Sequence, residues 1–417
     1  MLPTYSRSQH SNGDALSPRF WDFWLMGGAS LVVWAALLLG QFIRTDYSYV
    51  GQRFEQIAGT FALLSIVCNH PHFMASYRMA YGRGWRFCAK HWFTLIAVPA
   101  ALILLYAVAY FAMENPVINA TWIVPFNFVF EHIGIGFRFG NVQNLGSELV
   151  GASIWLMYLT VGWHYAKQIF GCMMVYANYD AYPLSGTQRR FIKLAVFSVA
   201  FFSFCHLSFH WRNYFPFASS FQLYGLALSE LGLPTILEGL SFLGLGLGVA
   251  GFLYAVVYRN FRAFGKLPTA NFLVPFVAFY AWWIPLFYQK EFYFMIVPFF
   301  HSLQYLPFAY RMEMKGLENR RNLERKFAFR LVILLVIGFV AFEALPSTLD
   351  TGLSYSLGNI PVFFTIAFAV FINIHHFFID SVLWRFQDEQ VRRTLLSPTD
   401  PRRIPADTVF SPVSPEA

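Results

Sequence analysis

Charge is scarce in this chain. Only 12% of its 417 residues are Asp, Glu, Lys or Arg, against about 25% in an ordinary water-soluble protein. That argues against the two or three soluble domains a chain of this length would otherwise suggest. Cysteine is scarce as well. Cys68, Cys88, Cys172 and Cys205 are scattered and form no CxxC pair, so neither a disulfide framework nor a zinc ribbon is indicated. No phosphate-binding glycine loop with its lysine, no GxSxG elbow and no dinucleotide fingerprint stands in a fitting context, which argues against ATP-driven transport and serine hydrolysis. The net charge is +8, but its location matters more than its sum, and nucleic acid is not an expected partner.

Apolar residues make up 57% of the chain and aromatics 20%, including 49 Phe. A membrane-spanning helix needs about 20 mostly apolar residues, because backbone polar groups cannot stay unpaired in hydrocarbon. Such segments lie near 21–43, 54–77, 92–113, 148–175, 191–212, 236–257, 269–288, 292–310, 331–348 and 359–384. The first is too long for a cleaved signal peptide, and no small-residue cleavage site follows it. The expected fold is therefore all-α, a polytopic transmembrane bundle of about ten spans covering 21–385. Residues 1–20 are expected to form a polar tail and 386–417 a disordered one.

The basic residues set the orientation. The segments after the second, fourth, sixth, eighth and tenth spans carry Arg78 to Lys90, Arg189 to Lys193, Arg259 to Lys266, Arg311 to Arg330 and Arg385 to Arg403. The other connections are poor in Lys and Arg. The positive-inside rule then places both termini in the cytoplasm, in a membrane expected to be a bacterial inner membrane. The stretch 114–147 falls on the outer side. It is apolar but broken by Pro116, Pro125 and several glycines, and is expected to be re-entrant or interfacial.

Eleven histidines are present, and most lie inside expected spans, where ionisable groups are costly and default to functional sites. His70 and His72 fall on the second span, His164 on the fourth, His301 on the eighth, and His375 and His376 on the tenth. At about 1.5 Å per helical residue, all six lie roughly 8–17 Å from the cytoplasmic ends of their helices. Gln168 and Gln304 stand one turn from His164 and His301, and Asp380 stands at i+4 from His376, spacings that share a helix face. Asp380 is expected to be a ligand or a hydrogen-bond acceptor behind one, the glutamines to orient ligands, and Tyr165 and Tyr305 to donate protons or hydrogen bonds. His206 and His210 share i,i+4 spacing but sit near the outer end of the fifth span, which makes them secondary candidates. A membrane histidine also serves as an interhelical hydrogen-bonding group. Imidazole suits iron, copper and zinc better than magnesium or calcium.

In its His-X-His, His-His and His-xxx-His groups on a multi-span bundle, the chain resembles the histidine-rich integral-membrane metalloenzymes. These include the fatty-acid desaturases, the alkane hydroxylases and the bacterial carotene-cleaving dioxygenases. The resemblance covers His70, His72, His164, His301, His375 and His376, and lacks the HxxxH…HxxHH…HxxHH series of the di-iron enzymes. It implies iron, mono- or dinuclear, and an oxygenase or desaturase acting on a membrane lipid or other apolar substrate, supplied with electrons by a separate donor protein. Two other readings use the same residues. In a proton- or ion-coupled transporter the polar layer lines the path. In a membrane haem protein two of the histidines are axial ligands.

Overall fold

The computed structural model describes residue 16 and residues 19–43, 47–113, 115–132, 145–209, 233–284, 292–314, 323–353 and 362–396. Among the described residues there is no strand, and every regular element is a helix. In chain order these are α1 (Phe20–Ile43), α2 (Tyr47–Tyr81), α3 (Trp85–Lys90), α4 (Phe93–Met113), α5 (Pro116–Thr121), α6 (Ile123–His132), α7 (Leu145–Tyr179) and α8 (Gly186–Phe209). There follow α9 (Ile236–Phe264), α10 (Ala270–Trp283), α11 (Phe292–Met314), α12 (Arg325–Leu353), α13 (Phe363–Leu383) and α14 (Glu389–Leu396).

Each apolar segment read from the sequence falls largely on one of these helices. Among the described residues, six helices are long and apolar enough to cross a membrane: α1, α4, α7, α9, α12 and α13. Helices α2, α8 and α11 have 35, 24 and 23 residues, and α10 has 14. Helices α2 and α7, at 35 residues each, run about 50 Å and outreach the spans expected for them. The described part of 114–147 forms α5 and α6. The Asn115 side chain caps α5 by accepting from the backbone N–H groups of Val117 and Ile118.

Helix α13 is the most enclosed. Of its apolar window 61% is buried, against 17% for α12 at the periphery. It packs against α2, α4 and α7, while α11 lies along α2 and α10 along α7. Apolar side chains gain little from leaving lipid for protein, so association depends on close approach and shape. Gly338 shows this. A methyl group there would stand 2.5 Å from the Cβ of His70, so glycine lets α12 lie flush on α2. At Gly27, with φ +156°, the added carbon would meet the Ala278 Cβ at 2.8 Å. Glycine is needed there both for the backbone turn within α1 and for the approach to α10.

The expectation of a disordered tail from residue 386 is corrected in part. Residues 389–396 form α14, with Val391 and Leu395 buried at i,i+4 spacing. Its last carbonyls, which have no partner within the helix, are taken up by the bundle. The Arg311 Nε donates to the Thr394 carbonyl at 2.9 Å, the Tyr179 hydroxyl to Leu395 at 2.5 Å and the Asn178 Nδ2 to Leu396 at 3.0 Å. Residues 1–15 and 397–417, His210 and segment 133–144 lie outside the described residues.

Candidate metal centre

Four helices each deliver one imidazole to a common point. His72 follows Pro71 on α2, His164 lies on α7, His301 stands between Pro298 and Pro307 on α11, and His376 lies on α13. A proline inside a helix removes one i→i−4 bond and releases a carbonyl, so α2 and α11 are locally loosened where they carry these rings. His72 and His376 have no exposed surface at all, and His164 and His301 are buried. The His72 ring centroid lies 4.5 Å from that of His376 and 5.2 Å from that of His301. The His164 centroid lies 4.9 Å from that of His301 and 5.0 Å from that of His376.

The ring nitrogens are unevenly satisfied. His164 Nε2 and His301 Nε2 are 3.0 Å apart. Without a metal that contact is a hydrogen bond, one Nε2–H donating to the other nitrogen. Both nitrogens of His72 and both of His376 are buried with no hydrogen-bond partner. A buried polar group left unpaired costs about 1–3 kcal/mol. One donor atom from each of His72, His164 and His376 lies within 4.8 Å of the other two. Two imidazole nitrogens about 2.1 Å from one ion stand roughly 3.0 Å apart at right angles and about 4.2 Å apart across it. The His164–His301 separation matches the first figure, and the widest spread exceeds the second by a small side-chain adjustment. His72, His164 and His376 could therefore hold a metal ion.

Asp380 closes one side. Its Oδ2 is 3.5 Å from His376 Nε2 and 3.9 Å from His164 Nε2. Its Oδ1 accepts from the Ser76 hydroxyl at 2.7 Å. With that proton committed, Ser76 Oγ accepts from the Tyr305 hydroxyl at 2.9 Å, giving a chain Tyr305–Ser76–Asp380 beside the rings. The rings are held by aromatic faces. Tyr165 stacks on His301 at 3.8 Å and 15°, Phe377 stacks on His164 at 4.8 Å, and Tyr305 meets His72 edge-on at 4.0 Å.

Two expected ligands are elsewhere. His70 stacks on Phe342 at 4.7 Å, and its Nε2 lies 3.7 Å from Glu343 on α12. At about 100° per residue, a histidine two positions before His72 faces nearly the opposite way. His375 is engaged by phenols, Tyr77 at Nδ1 (2.9 Å) and Tyr81 at Nε2 (3.4 Å). The Tyr81 hydroxyl donates to the Leu95 carbonyl, so it accepts from His375.

The glutamines also act differently from expectation, on backbone and on each other. Gln168 donates to the His301 carbonyl at 3.1 Å and to Gln304 Oε1 at 3.3 Å, and Gln304 donates to the Met26 carbonyl at 2.6 Å. They tie α7, α11 and α1 together, and position the segment carrying His301 rather than any ring. His206 pairs with Glu238 at 2.9 Å, linking α8 to α9. Ser76 was not singled out from the sequence, although it stands at i+4 from His72 as Asp380 does from His376. Ser302, which donates to Asn69 at 2.7 Å and joins α11 to α2, carries no comparable sequence signal. No known protein family, curated protein or solved structure matches this chain.

Proposed function

We propose that the chain is an integral-membrane metalloenzyme in which His72, His164, His301 and His376 hold a transition-metal ion, iron by preference, for oxidation of a lipid-like substrate. The observation that carries this reading is the convergence of four buried imidazoles from four helices, two of them with no hydrogen bond at either nitrogen. Bound there, ferrous iron would supply dioxygen activation toward a C–H or C=C bond of an acyl chain, sterol or polyene.

The chain's own groups do the rest. Asp380 serves as a further ligand or holds a proton beside His376 and His164, and Ser76 and Tyr305 pass or keep that proton. Tyr165, Phe377 and Tyr305 fix the ring planes and exclude water. Electrons come from a separate donor protein. About ten passes with cytoplasmic termini, in a bacterial inner membrane, suit the basic segments. Exposed apolar belts such as Ile103, Leu104 and Phe111 on α4 and Val332, Val336 and Ile337 on α12 suit contact with lipid.

The haem reading gains no support, because the cavity bordering the cluster holds only about 30 Å³, while ligand pockets usually hold about 300–1,000 Å³. Transport remains the reading to set against metal catalysis. Protein purified in detergent is expected to carry one metal ion per chain by elemental analysis, without a Soret band. His301→Ala and His376→Ala should each lose it, while His70→Ala and His375→Ala keep it. A metal-free wild type, or unchanged metal in both H301A and H376A, would remove the ligand assignment and favour transport.

A further inference from the structure

We propose that the cavity beside His301 is a binding site for a small apolar gas, dioxygen in the first place, filled from the hydrocarbon phase. The site itself rests only on the cavity. The use made of the gas rests on the metal reading above.

The cavity lies between α1, α7, α10 and α11. Tyr165, Ile169, Ala278 and Phe279 form its buried side, and Val297 and Phe300, both partly exposed, lie toward the surface. Tyr165 and His301, stacked on each other, are both part of the wall, so whatever occupies the space lies against one of the four clustered imidazoles.

Size and polarity select the occupant. A volume of about 30 Å³ exceeds the 10–15 Å³ or so that one water-sized molecule needs and is far too small for an acyl chain or polyene. Water would want two to four polar partners. Two polar side chains in the wall are already committed, Ser30 donating to the Gly27 carbonyl at 2.8 Å and Gln304 to Met26. His301 Nε2 is shared with His164, and the Tyr165, Phe279, Trp282, Trp283 and Phe300 rings with the aliphatic side chains make up the rest of the wall. Enclosed apolar cavities stay dry and take up xenon, which makes xenon a probe of this space. Dioxygen, apolar and more soluble in hydrocarbon than in water, matches the space.

Xenon is the probe. In the purified full-length protein, xenon NMR or xenon-pressurised crystals should show one atom in contact with Tyr165 and Phe279. Val297→Leu, which adds a methylene where the volume is small, should weaken xenon binding at least about tenfold while leaving the metal content unchanged. Phe300→Leu, which enlarges the space, should bind xenon at least as well as the wild type. Absence of xenon from this site in both the wild type and F300L, or equal binding in the wild type and V297L, would overturn the proposal. Xenon bound in a metal-free protein would uphold the gas site and sink the metal reading, and a loaded metal centre with no xenon would do the reverse.

Discussion

At the scale of single residues, helical angle decides which histidines can meet. The HPH and HH groups look like paired ligands in the sequence, yet each contributes one ring to the cluster and sends the other elsewhere, His70 to Phe342 and His375 to Tyr77. The i,i+4 relation of His376 and Asp380 was legible, because that spacing fixes a shared face. The same spacing joins His72 to Ser76. Ser76 now offers a sharp test. Ser76→Ala leaves the buried Asp380 Oδ1 and the Tyr305 hydroxyl without the partner that links them, at a cost of about 1–3 kcal/mol for each buried group left unpaired. The variant should unfold at lower temperature in detergent and turn over more slowly while retaining its metal. Wild-type stability and turnover in S76A would show that the chain from Tyr305 to Asp380 is not used.

At the scale of elements, hydropathy locates the helices because long apolar runs need internally paired backbones in lipid, but it says little about how they touch. Depth along a helix follows from counting residues. The direction a ring faces depends on the helix's rotation and on its neighbours, and only packing sets those. Helix α14 is not legible in the hydropathy for a related reason. Its eight residues carry Arg392 and Arg393 and read as a polar tail, and what holds them is the set of donors waiting on Arg311, Tyr179 and Asn178. The contact of α12 with α2 is similarly specific. Gly338→Leu would drive a side chain into the Cβ of His70, 2.5 Å from the first added carbon. Overpacking of this kind costs about 1–3 kcal/mol or more. Thermal unfolding should show a loss of that order, whereas Gly352→Ala, where an added carbon meets nothing within 4 Å, should show little change.

At the scale of the whole molecule, two expectations can be tested. The first is the orientation proposed from the basic segments. The proposed orientation, with both termini inside, predicts residue 186 on the cytoplasmic side and residue 117 on the outer side. A membrane-impermeant maleimide applied to intact cells should label Val117→Cys and spare Gly186→Cys, both exposed positions, and the reverse pattern would invert the topology. The second is mechanical. Helices α2, α7, α11 and α13 belong to different parts of the chain and meet at four imidazoles, so an ion bound there cross-links the bundle. Binding to the folded state alone stabilises it by about 2.7 kcal/mol when the free ion stands at 100 times its dissociation constant. Satisfying the nitrogens of His72 and His376, which have no hydrogen bond, is part of the affinity that sets this gain. Chelation should therefore lower the unfolding temperature of the wild type, and added ferrous ion should restore it. His376→Ala should unfold at the same temperature with or without the ion. Equal melting of the wild type with chelator and with added ion would mean that the four rings pack without holding a metal.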